Sequence, residues 1–327
     1  MKNYRTIIHP EPSPNKIGYQ TPVLFMGSCF TENIGNKMLD LKFPALVNPF
    51  GVMYNPVSVQ SGLEILIEQS EFKESDLGLF NDQWFSFYHD TEFSDVDQTI
   101  CLGKINKSIE LASRQLRNAD YLLITFGTSW VYKYLKSGNI VSNCHKIPAK
   151  EFERIKLDTE DIFVEWANLI NRLHELNKNL KIIFTVSPVR HWKDGPVQNQ
   201  LSKSTLILAI HQLKERFKSI EYFPAYEILM DDLRDYRFYA DDMLHPSKVA
   251  IDYIWDQFVQ TYLEKKTVDI TKEVERILLA KTHRPLNQNT PSHKKFIESQ
   301  IKLIEELEKK YTFLDFVNDR SFFKSQI

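Results

Sequence analysis

The 327-residue sequence predicts an α/β fold, in which a parallel sheet carries helices on both faces and a helical extension follows. Apolar runs at 23–26, 121–126, 181–186 and 219–223 are predicted as strands, and the run at 121–126 is typical of a central parallel strand. Segments of helical pattern separate these runs, and such alternation is typical of parallel sheets covered by helices. Beyond Lys265 the character changes and only helical patterns follow.

The spacing of apolar residues also predicts the elements between the strands. Helices are predicted at 31–41, 57–68, 105–117, 161–176, 201–217 and 246–263, and a short strand at 45–47. Residues 130–132 and 140–141, connected by a turn at 137–139, predict a hairpin. Helical patterns at 270–279 and 294–311, separated by a polar stretch at 285–291, form the extension. The predicted domains are therefore residues 1–265 and residues 266–327.

Composition and charge narrow the class of protein. The formal net charge of −2 gives no electrostatic reason to expect a nucleic-acid partner or an anionic membrane. No apolar run reaches the roughly 18 residues of a membrane span, and residues 1–9 lack the apolar core of a secretory signal. Cys29, Cys101 and Cys144 are too few and too scattered for a disulfide framework or a zinc knuckle. We expect a cytoplasmic protein without a cofactor or metal, and the oligomeric state stays open.

A candidate nucleophile follows the first predicted strand. Ser28 lies two residues past that strand, and Gly27 allows a tight turn before it. The helix behind Ser28 offers backbone N–H groups and the positive end of its dipole to an oxyanion. In open α/β sheets, sites form at the carboxyl ends of the strands. The alternative is that Ser28 or Thr31 caps the helix.

A candidate base and its orienting carboxylate lie together far downstream. His245 follows Asp242 by three residues, close enough for the carboxylate to hold one imidazole nitrogen, which fixes the tautomer and stabilises the imidazolium. Because His245 precedes Pro246, it is biased away from helical geometry and is expected in the loop before the helix. The alternative is a capping cluster in which Asp241, Asp242 and Ser247 satisfy helix amides. With the serine, the Asp and His provide what nucleophilic acyl transfer needs.

These motifs resemble those of a known family. The segment Gly27-Ser28-Cys29-Phe30-Thr31 closely resembles the motif that names the GSCFA family, a branch of the SGNH (GDSL-like) hydrolase superfamily. The resemblance spans roughly residues 20–265 and includes the segments 143–148, 186–191, 222–227, 235–239 and 242–247. It implies a three-layer α/β/α, flavodoxin-like sandwich. It also implies Ser28 as nucleophile and first oxyanion donor, with Asp242 and His245 as the Asp and His of the superfamily's Asp-x-x-His block.

The remaining oxyanion positions of the superfamily transfer less well. Its glycine block falls on Gly51, and its Gly-x-Asn-Asp block falls on residues 127–130, so that Ser129 stands where an Asn is expected. A hydroxyl donates with a different reach and geometry from an amide. Losing one oxyanion donor costs roughly 2.7–4 kcal/mol of transition-state stabilisation. Asn48 or Asn55, on the loop after the second strand, is the alternative donor.

Further side chains are expected around a substrate. Thr128 and the two loop residues Asn48 and Asn55 are candidate contacts, as are His145 and the pair Arg190 and His191. Arg190 is suited to an anionic group, and the alternative for both Arg190 and His191 is loop packing or solvent exposure. His145 with Cys144 is expected in the pocket wall. The aromatic residues Trp84, Trp130, Trp192 and Tyr239 either line a sugar or acyl pocket or belong to the core.

Other chemistries remain as alternatives. They are a thiol nucleophile at Cys29, a reactive pair at Cys144 and His145, and a metal site formed by His89, Asp90, His145 and His191, although no pair has helix-face ligand spacing. The leading hypothesis is a serine-dependent ester hydrolase or O-acyltransferase, and the superfamily resemblance extends it to O-acylated carbohydrate. The alternative from another class is a binding or scaffold protein with a degraded oxyanion hole on the same fold.

Overall fold

The computed structural model describes residues 5–284, 287 and 290–326, which form two compact units. The first unit comprises the described residues up to Glu11 together with 22–36 and 45–258. The second comprises 12–21, 37–44 and the described residues from Val259 onward. The second unit thus includes two N-terminal segments as well as the C-terminal helices, and the predicted boundary at residue 265 stays a prediction.

The first unit is built on a five-stranded parallel sheet. Its strands are β1 (Val23–Gly27), β2 (Ala45–Val47), β5 (Tyr121–Phe126), β9 (Lys181–Val186) and β10 (Ile220–Tyr222), in the spatial order β10-β9-β5-β1-β2. Counted along the chain within this sheet, the order is 2-1-3-4-5, which is the flavodoxin-like arrangement. In such sheets the order reverses between the first and third strands, here β1 and β5, and ligands bind at their carboxyl ends. The predicted α/β fold with a parallel sheet is confirmed.

Helices cover the sheet. Along the chain they are α1 (Cys29–Asp40), α2 (Pro56–Glu68), α3 (Gln98–Asn118), α4 (Thr159–Leu176), α5 (Gly195–Arg216), the single turn α6 (Ala225–Glu227) and α7 (Lys248–Tyr262). Apolar side chains of α2 to α5 form one continuous core with alternate strand residues such as Leu24 and Met26. Their neighbours Val23 and Phe25 are buried as well, so the opposite face is also covered.

Smaller antiparallel elements are inserted between the parallel strands. They are the pair β3 (Gly78–Phe80) and β4 (Gln83–Phe85), and a sheet of β6 (Trp130–Tyr134), β7 (Ile140–Val141) and β8 (Phe152–Lys156) in the order β7-β6-β8. The predicted hairpin is confirmed as β6 and β7. Short 3₁₀ turns lie at Glu74–Asp76, Thr91–Phe93, Ala149–Glu151, Trp192–Asp194 and Tyr236–Phe238, and a π-helical turn at Ile228–Asp232.

The second unit contains the C-terminal helices α8 (Lys265–Thr282), α9 (Pro291–Lys310) and α10 (Val317–Lys324), which confirms the helical extension. Its Asp319 is fully buried and accepts hydrogen bonds from Lys42 at 2.5 Å and Lys281 at 2.7 Å. Two lysines therefore compensate the buried carboxylate. The polar stretch predicted at 285–291 lies largely outside the described residues. Among the helices that the structure describes, none has the length and apolar character that a membrane crossing requires.

Candidate active site

Ser28 occupies the turn between β1 and α1, as predicted. Gly27 precedes it with a φ of 141°, and a Cβ at Gly27 would lie 2.3 Å from the carbonyl oxygen of Thr125 on β5. No side chain fits at that distance, so only glycine allows β1 to approach β5 this closely before the turn. The Ser28 N–H donates to the Thr125 carbonyl at 3.3 Å. The serine is therefore held at the carboxyl edge of the two strands where the sheet order reverses.

The Ser28 hydroxyl is buried and unpaired. The residue is 1% exposed, and its Oγ has no hydrogen-bond partner among the described residues. The Thr31 N–H donates to the backbone carbonyl of Ser28 at 2.8 Å, not to its side chain. The hydroxyl thus does not cap α1, and it remains available to a reacting group.

Asp242 holds His245 through two hydrogen bonds and the preceding residue Leu244 through a third. Its Oδ2 lies 2.5 Å from His245 Nδ1, and its Oδ1 accepts from the backbone N–H groups of His245 and Leu244, both at 2.9 Å. The His245 N–H, the Leu244 N–H and the His245 side chain lower the pKa of Asp242 to about 2. The carboxylate is therefore ionised at neutral pH, and with Nδ1 held the Nε2 atom of His245 is left for chemistry.

The loop that carries this pair is tightly closed. Tyr239 and Pro246 form an isolated β-bridge, and the Ala240 N–H donates to the His245 carbonyl at 2.8 Å. Between them Met243 has a φ of 61°, a left-handed conformation that is uncommon for a residue other than glycine. Such a conformation persists only where the surrounding contacts enforce it. The loop thereby presents Asp242 and His245 together.

Ser28 and His245 line the same cavity of about 490 Å³. Since Ser28 Oγ has no hydrogen-bond partner among the described residues, His245 is not bonded to it, and the His245 side chain is 51% exposed. Nucleophile–base hydrogen bonds are often long in enzymes and tighten only in the complex with substrate. The other side chains around the cavity are mostly aromatic, cationic or small, and they include Tyr54, Asn55, Thr128, Trp130, Tyr132, Arg154, Arg190, His191 and Trp192.

Two expected oxyanion donors do not lie on this cavity. The Gly51 N–H donates to the Asn48 carbonyl at 2.8 Å and closes a turn. Ser129 is fully buried, and both its N–H (2.7 Å) and its hydroxyl (3.2 Å) donate to Ser202 Oγ on α5. Neither Gly51 nor Ser129 is among the described residues that line the cavity. Because other protein groups accept their hydrogen bonds, the structure corrects the expectation that they face an oxyanion.

The alternative donors Asn48 and Asn55 differ in what they contact. The Asn48 Oδ1 accepts the Gly27 N–H at 2.9 Å, and its Nδ2 is buried without a partner among the described residues. Asn55 lines the cavity but caps α2, since its side chain bonds both the N–H and the hydroxyl of Ser58 at 2.9 Å. Of the two, only Asn48 keeps an unused amide beside the Gly27–Ser28 turn.

The expected substrate contacts divide in a similar way. Thr128, Arg190 and His191 line the cavity. His145 does not, because its Nε2 lies 2.9 Å from the Ser86 carbonyl and its ring packs on Phe85 with centroids 4.3 Å apart. Burial lowers the pKa of His191 to about 4, so this imidazole is neutral at physiological pH.

The structure gives little support to a thiol nucleophile or a metal site. Burial raises the pKa of the Cys29 thiol, and Glu32 raises it further. Burial likewise raises the pKa of Cys144. A thiol with a raised pKa forms less of the nucleophilic thiolate. Within the described ranges, no three His, Cys, Asp or Glu side chains are grouped so that they could hold a metal ion.

Lys203 was not predicted as a site residue. It is fully buried on α5, and its Nζ donates to the carbonyls of Gly127 and Ser187, both at 2.7 Å. Desolvation lowers its pKa to about 7. Lys203 thus joins the residues that follow β5 and β9 beside the cavity. The sequence contains a signal for this, since Lys203 shares a helical stripe with the apolar residues Leu206 and Ile210.

Comparison with known proteins identifies the family. The profile of the GSCFA family matches residues 22–258, and the profile of the GSCFA domain protein, C-terminal domain, matches residues 274–327. A candidate acylhydrolase from Bacteroides fragilis is 14% identical, with 81% of this chain and 91% of that chain covered and a TM-score of 0.37. A candidate platelet activating factor from Streptococcus pneumonia is 11% identical, with 73% and 82% covered and a TM-score of 0.36. No curated protein matches. Because the family profile covers most of the chain, this protein belongs to the GSCFA family.

Proposed function

We propose that this protein is a serine-dependent enzyme that transfers the acyl group of an ester. The observation that carries the proposal is that Ser28 and His245 line one cavity while Asp242 holds the far nitrogen of His245. Ser28 Oγ is the nucleophile, His245 Nε2 is the general base, and Asp242 orients the imidazole. Membership of the GSCFA family and the likeness of its motifs to those of SGNH hydrolases agree with this assignment.

The proposed reaction has two half-reactions. In the first, Ser28 Oγ attacks the ester carbonyl and its proton passes to His245 Nε2. The tetrahedral intermediate then releases the alcohol, which takes that proton, and leaves an acyl group on Ser28. In the second, water or a carbohydrate hydroxyl gives a proton to His245 Nε2 and attacks the acyl carbon. The new tetrahedral intermediate breaks its bond to Ser28 Oγ, which takes the proton back from His245, and an acid or a new ester is released.

Two groups are proposed to stabilise the oxyanion. The Ser28 N–H lies at the N-terminal end of α1, and its present bond to Thr125 is long at 3.3 Å. Asn48 Nδ2 is the second. Asn48, like Gly51 and Ser129, is not among the described residues that line the cavity, but its Oδ1 accepts the Gly27 N–H beside Ser28 and its Nδ2 has no partner in the described part of the chain. An amide donor in this place supplies what the buried Ser129 does not.

The acyl acceptor decides between a hydrolase and a transferase. Water makes the protein an esterase, and a carbohydrate hydroxyl makes it an O-acyltransferase. The rings of Trp130, Tyr132 and Trp192 line the cavity and offer flat apolar faces of the kind that pack against sugar rings. We therefore propose an O-acylated carbohydrate as the substrate class.

A fluorophosphonate probe tests the nucleophile directly. We expect covalent labelling of Ser28 in the full-length protein, measured by mass spectrometry, together with hydrolysis of short-chain aryl esters. Ser28→Ala should abolish both, whereas the neighbouring Cys29→Ala should retain labelling. Ester hydrolysis that survives Ser28→Ala would overturn the proposal.

A second candidate function is a binding protein on the same fold. It is favoured by the burial of Ser129 against Ser202 and by the lack of a Ser28–His245 hydrogen bond. On this alternative the probe leaves Ser28 unlabelled, while carbohydrate esters still bind and are recovered uncleaved.

A further inference from the structure

Arg190 is a cation without a counter-charge in the part of the chain that the structure describes. Its Nε is buried without a hydrogen-bond partner, and its guanidinium lies 5.4 Å from the centroid of the Trp192 ring. No carboxylate of the described residues forms an ion pair with it. The buried Nε–H has lost hydration without gaining a hydrogen-bond acceptor in return.

The carboxylates that line the two cavities with Arg190 are Asp194, Asp235 and Asp242, and each pairs with another side chain. The second oxygen of Asp194, Oδ2, is buried without a partner among the described residues. Asp194 bonds Arg154, whose guanidinium also lies over the Trp130 ring. In the neighbouring loop Asp242 bonds His245. The charge of Arg190 also affects a neighbouring side chain of the second cavity. Burial raises the pKa of Tyr239, and the positive charge of Arg190 opposes that rise.

Arg190 also lies where two cavities meet. It lines the cavity of Ser28 and His245, and together with Trp192 it lines a second cavity of about 470 Å³ that includes Tyr239. Arg190 and Trp192 therefore form part of the wall of both cavities. The guanidinium can face a planar or tetrahedral anion there through two parallel N–H groups.

We propose that Arg190 binds an anionic group, a carboxylate or a phosphate, on the substrate whose ester carbonyl lies at Ser28. The inference rests on the proposed function and deepens it, because it names acidic carbohydrate esters as the substrate class. The anion satisfies the unpaired guanidinium, the sugar ring packs on the aromatic wall, and the acyl group reaches the nucleophile.

Matched substrates test the charge preference. They are an O-acetylated methyl glucuronoside, its uncharged uronamide, and the corresponding glucoside 6-phosphate. For the wild-type protein we expect kcat/KM to be roughly 10- to 100-fold higher for the acidic substrates than for the uronamide. The acidic substrate with the higher kcat/KM shows whether the site prefers a carboxylate or a phosphate. In Arg190→Gln the ratio should fall to about one, and in Arg190→Lys part of it should remain. The control Arg114→Gln removes an exposed arginine on α3 and should leave the ratio unchanged.

Direct binding separates failure of this inference from failure of the proposed function. Calorimetry with methyl glucuronoside and glucose 6-phosphate requires no turnover, and it is run on wild-type protein and on Arg190→Gln. Binding that is lost in the variant supports the anion site even if Ser28 is never labelled by the fluorophosphonate probe. An equal ratio of kcat/KM in wild type and variant, or no binding of either anion to the wild type, would overturn the inference.

Discussion

Asp242 is the residue that controls His245 in the proposed chemistry. Its two oxygens have separate tasks, since Oδ1 holds the backbone of Leu244 and His245 and Oδ2 holds the imidazole. An asparagine keeps the acceptor for the backbone but replaces the charged acceptor for Nδ1 with a neutral group. The electrostatic part of its role can therefore be removed while the turn remains.

Asp242→Asn is accordingly expected to lower kcat/KM for a short-chain aryl ester by roughly 10²- to 10⁴-fold, because the imidazolium loses its stabilising charge. The neighbouring Asp241→Asn removes the same charge one residue away and should have little effect. Similar losses in both variants would contradict a specific role for Asp242. Circular dichroism and the thermal midpoint check that both variants remain folded.

Lys203 is a second single residue with a testable role, because its buried side chain contributes to the stability of the fold. Replacing it with methionine keeps the length of the side chain but leaves the carbonyls of Gly127 and Ser187 without their donor. We expect Lys203→Met to lower the free energy of unfolding by about 2–4 kcal/mol, measured by urea denaturation. Lys214→Met, at an exposed position of the same helix, is the control and should change it little. Equal stability of both variants would contradict this expectation. It would show that the hydrogen bonds of Lys203 only offset the cost of removing its side chain from water.

At the scale of elements, the junction of β1 and α1 decides where the proposed nucleophile, Ser28, lies. β1 pairs with β5 up to Gly27 and Thr125, and the chain turns immediately afterwards. The contact is between backbone atoms, which cannot move aside as a flexible side chain can. The turn and the strand pairing therefore depend on the same glycine.

Gly27→Ala should be severely destabilising, by more than about 3 kcal/mol, because its Cβ meets the Thr125 backbone and its φ is positive. Gly103→Ala, in the interior of α3 with no atom within 4 Å of the added Cβ, is the matched control. It should stabilise the protein by about 0.5–1 kcal/mol through helix propensity. Thermal and urea unfolding measure both changes. A mild effect at Gly27 would mean that β1 can move away from β5.

At the scale of the whole molecule, stability in acid depends on a buried histidine. His89 is completely buried against the rings of Phe50, Phe72 and Phe93, and its Nδ1 lies 3.0 Å from Ser86 Oγ. Desolvation, with a contribution from His145, lowers its pKa from 6.5 to about 3. The unfolded chain therefore binds a proton below pH 6.5 that the folded protein refuses until about pH 3.

The free energy of unfolding should consequently fall as the pH falls through this window, by roughly 1.4 kcal/mol per pH unit from His89 alone. Urea titrations at pH 7, 6, 5 and 4 would measure the slope. In His89→Leu the slope should be smaller, whatever the stability at pH 7, while His9→Leu at an exposed position should retain it. An unchanged slope in His89→Leu would contradict the assignment.

Much of the fold and part of the candidate site could be predicted from local patterns in the sequence. The strand at 121–126 was predicted because buried parallel strands are continuously apolar, and Asp242 and His245 because a spacing of three residues lets the two side chains meet. The strand β8 was not predicted, since all of its residues are exposed or half-buried and its partner β6 lies about 20 residues earlier. Pairing of that kind leaves no periodic signal in a short segment.

The sequence by itself determined the α/β class, the turn that carries Ser28 and the contact of Asp242 with His245, because each rests on neighbours along the chain. Only the tertiary structure decided which hydrogen-bond donors remain free. Ser129 is bonded to Ser202, which is 73 residues away, and Asp194, close to Arg190 in the chain, pairs with the distant Arg154. Hydrogen-bond and ion-pair partners compete across the whole fold, so what is left for a substrate depends on contacts between residues far apart in the chain.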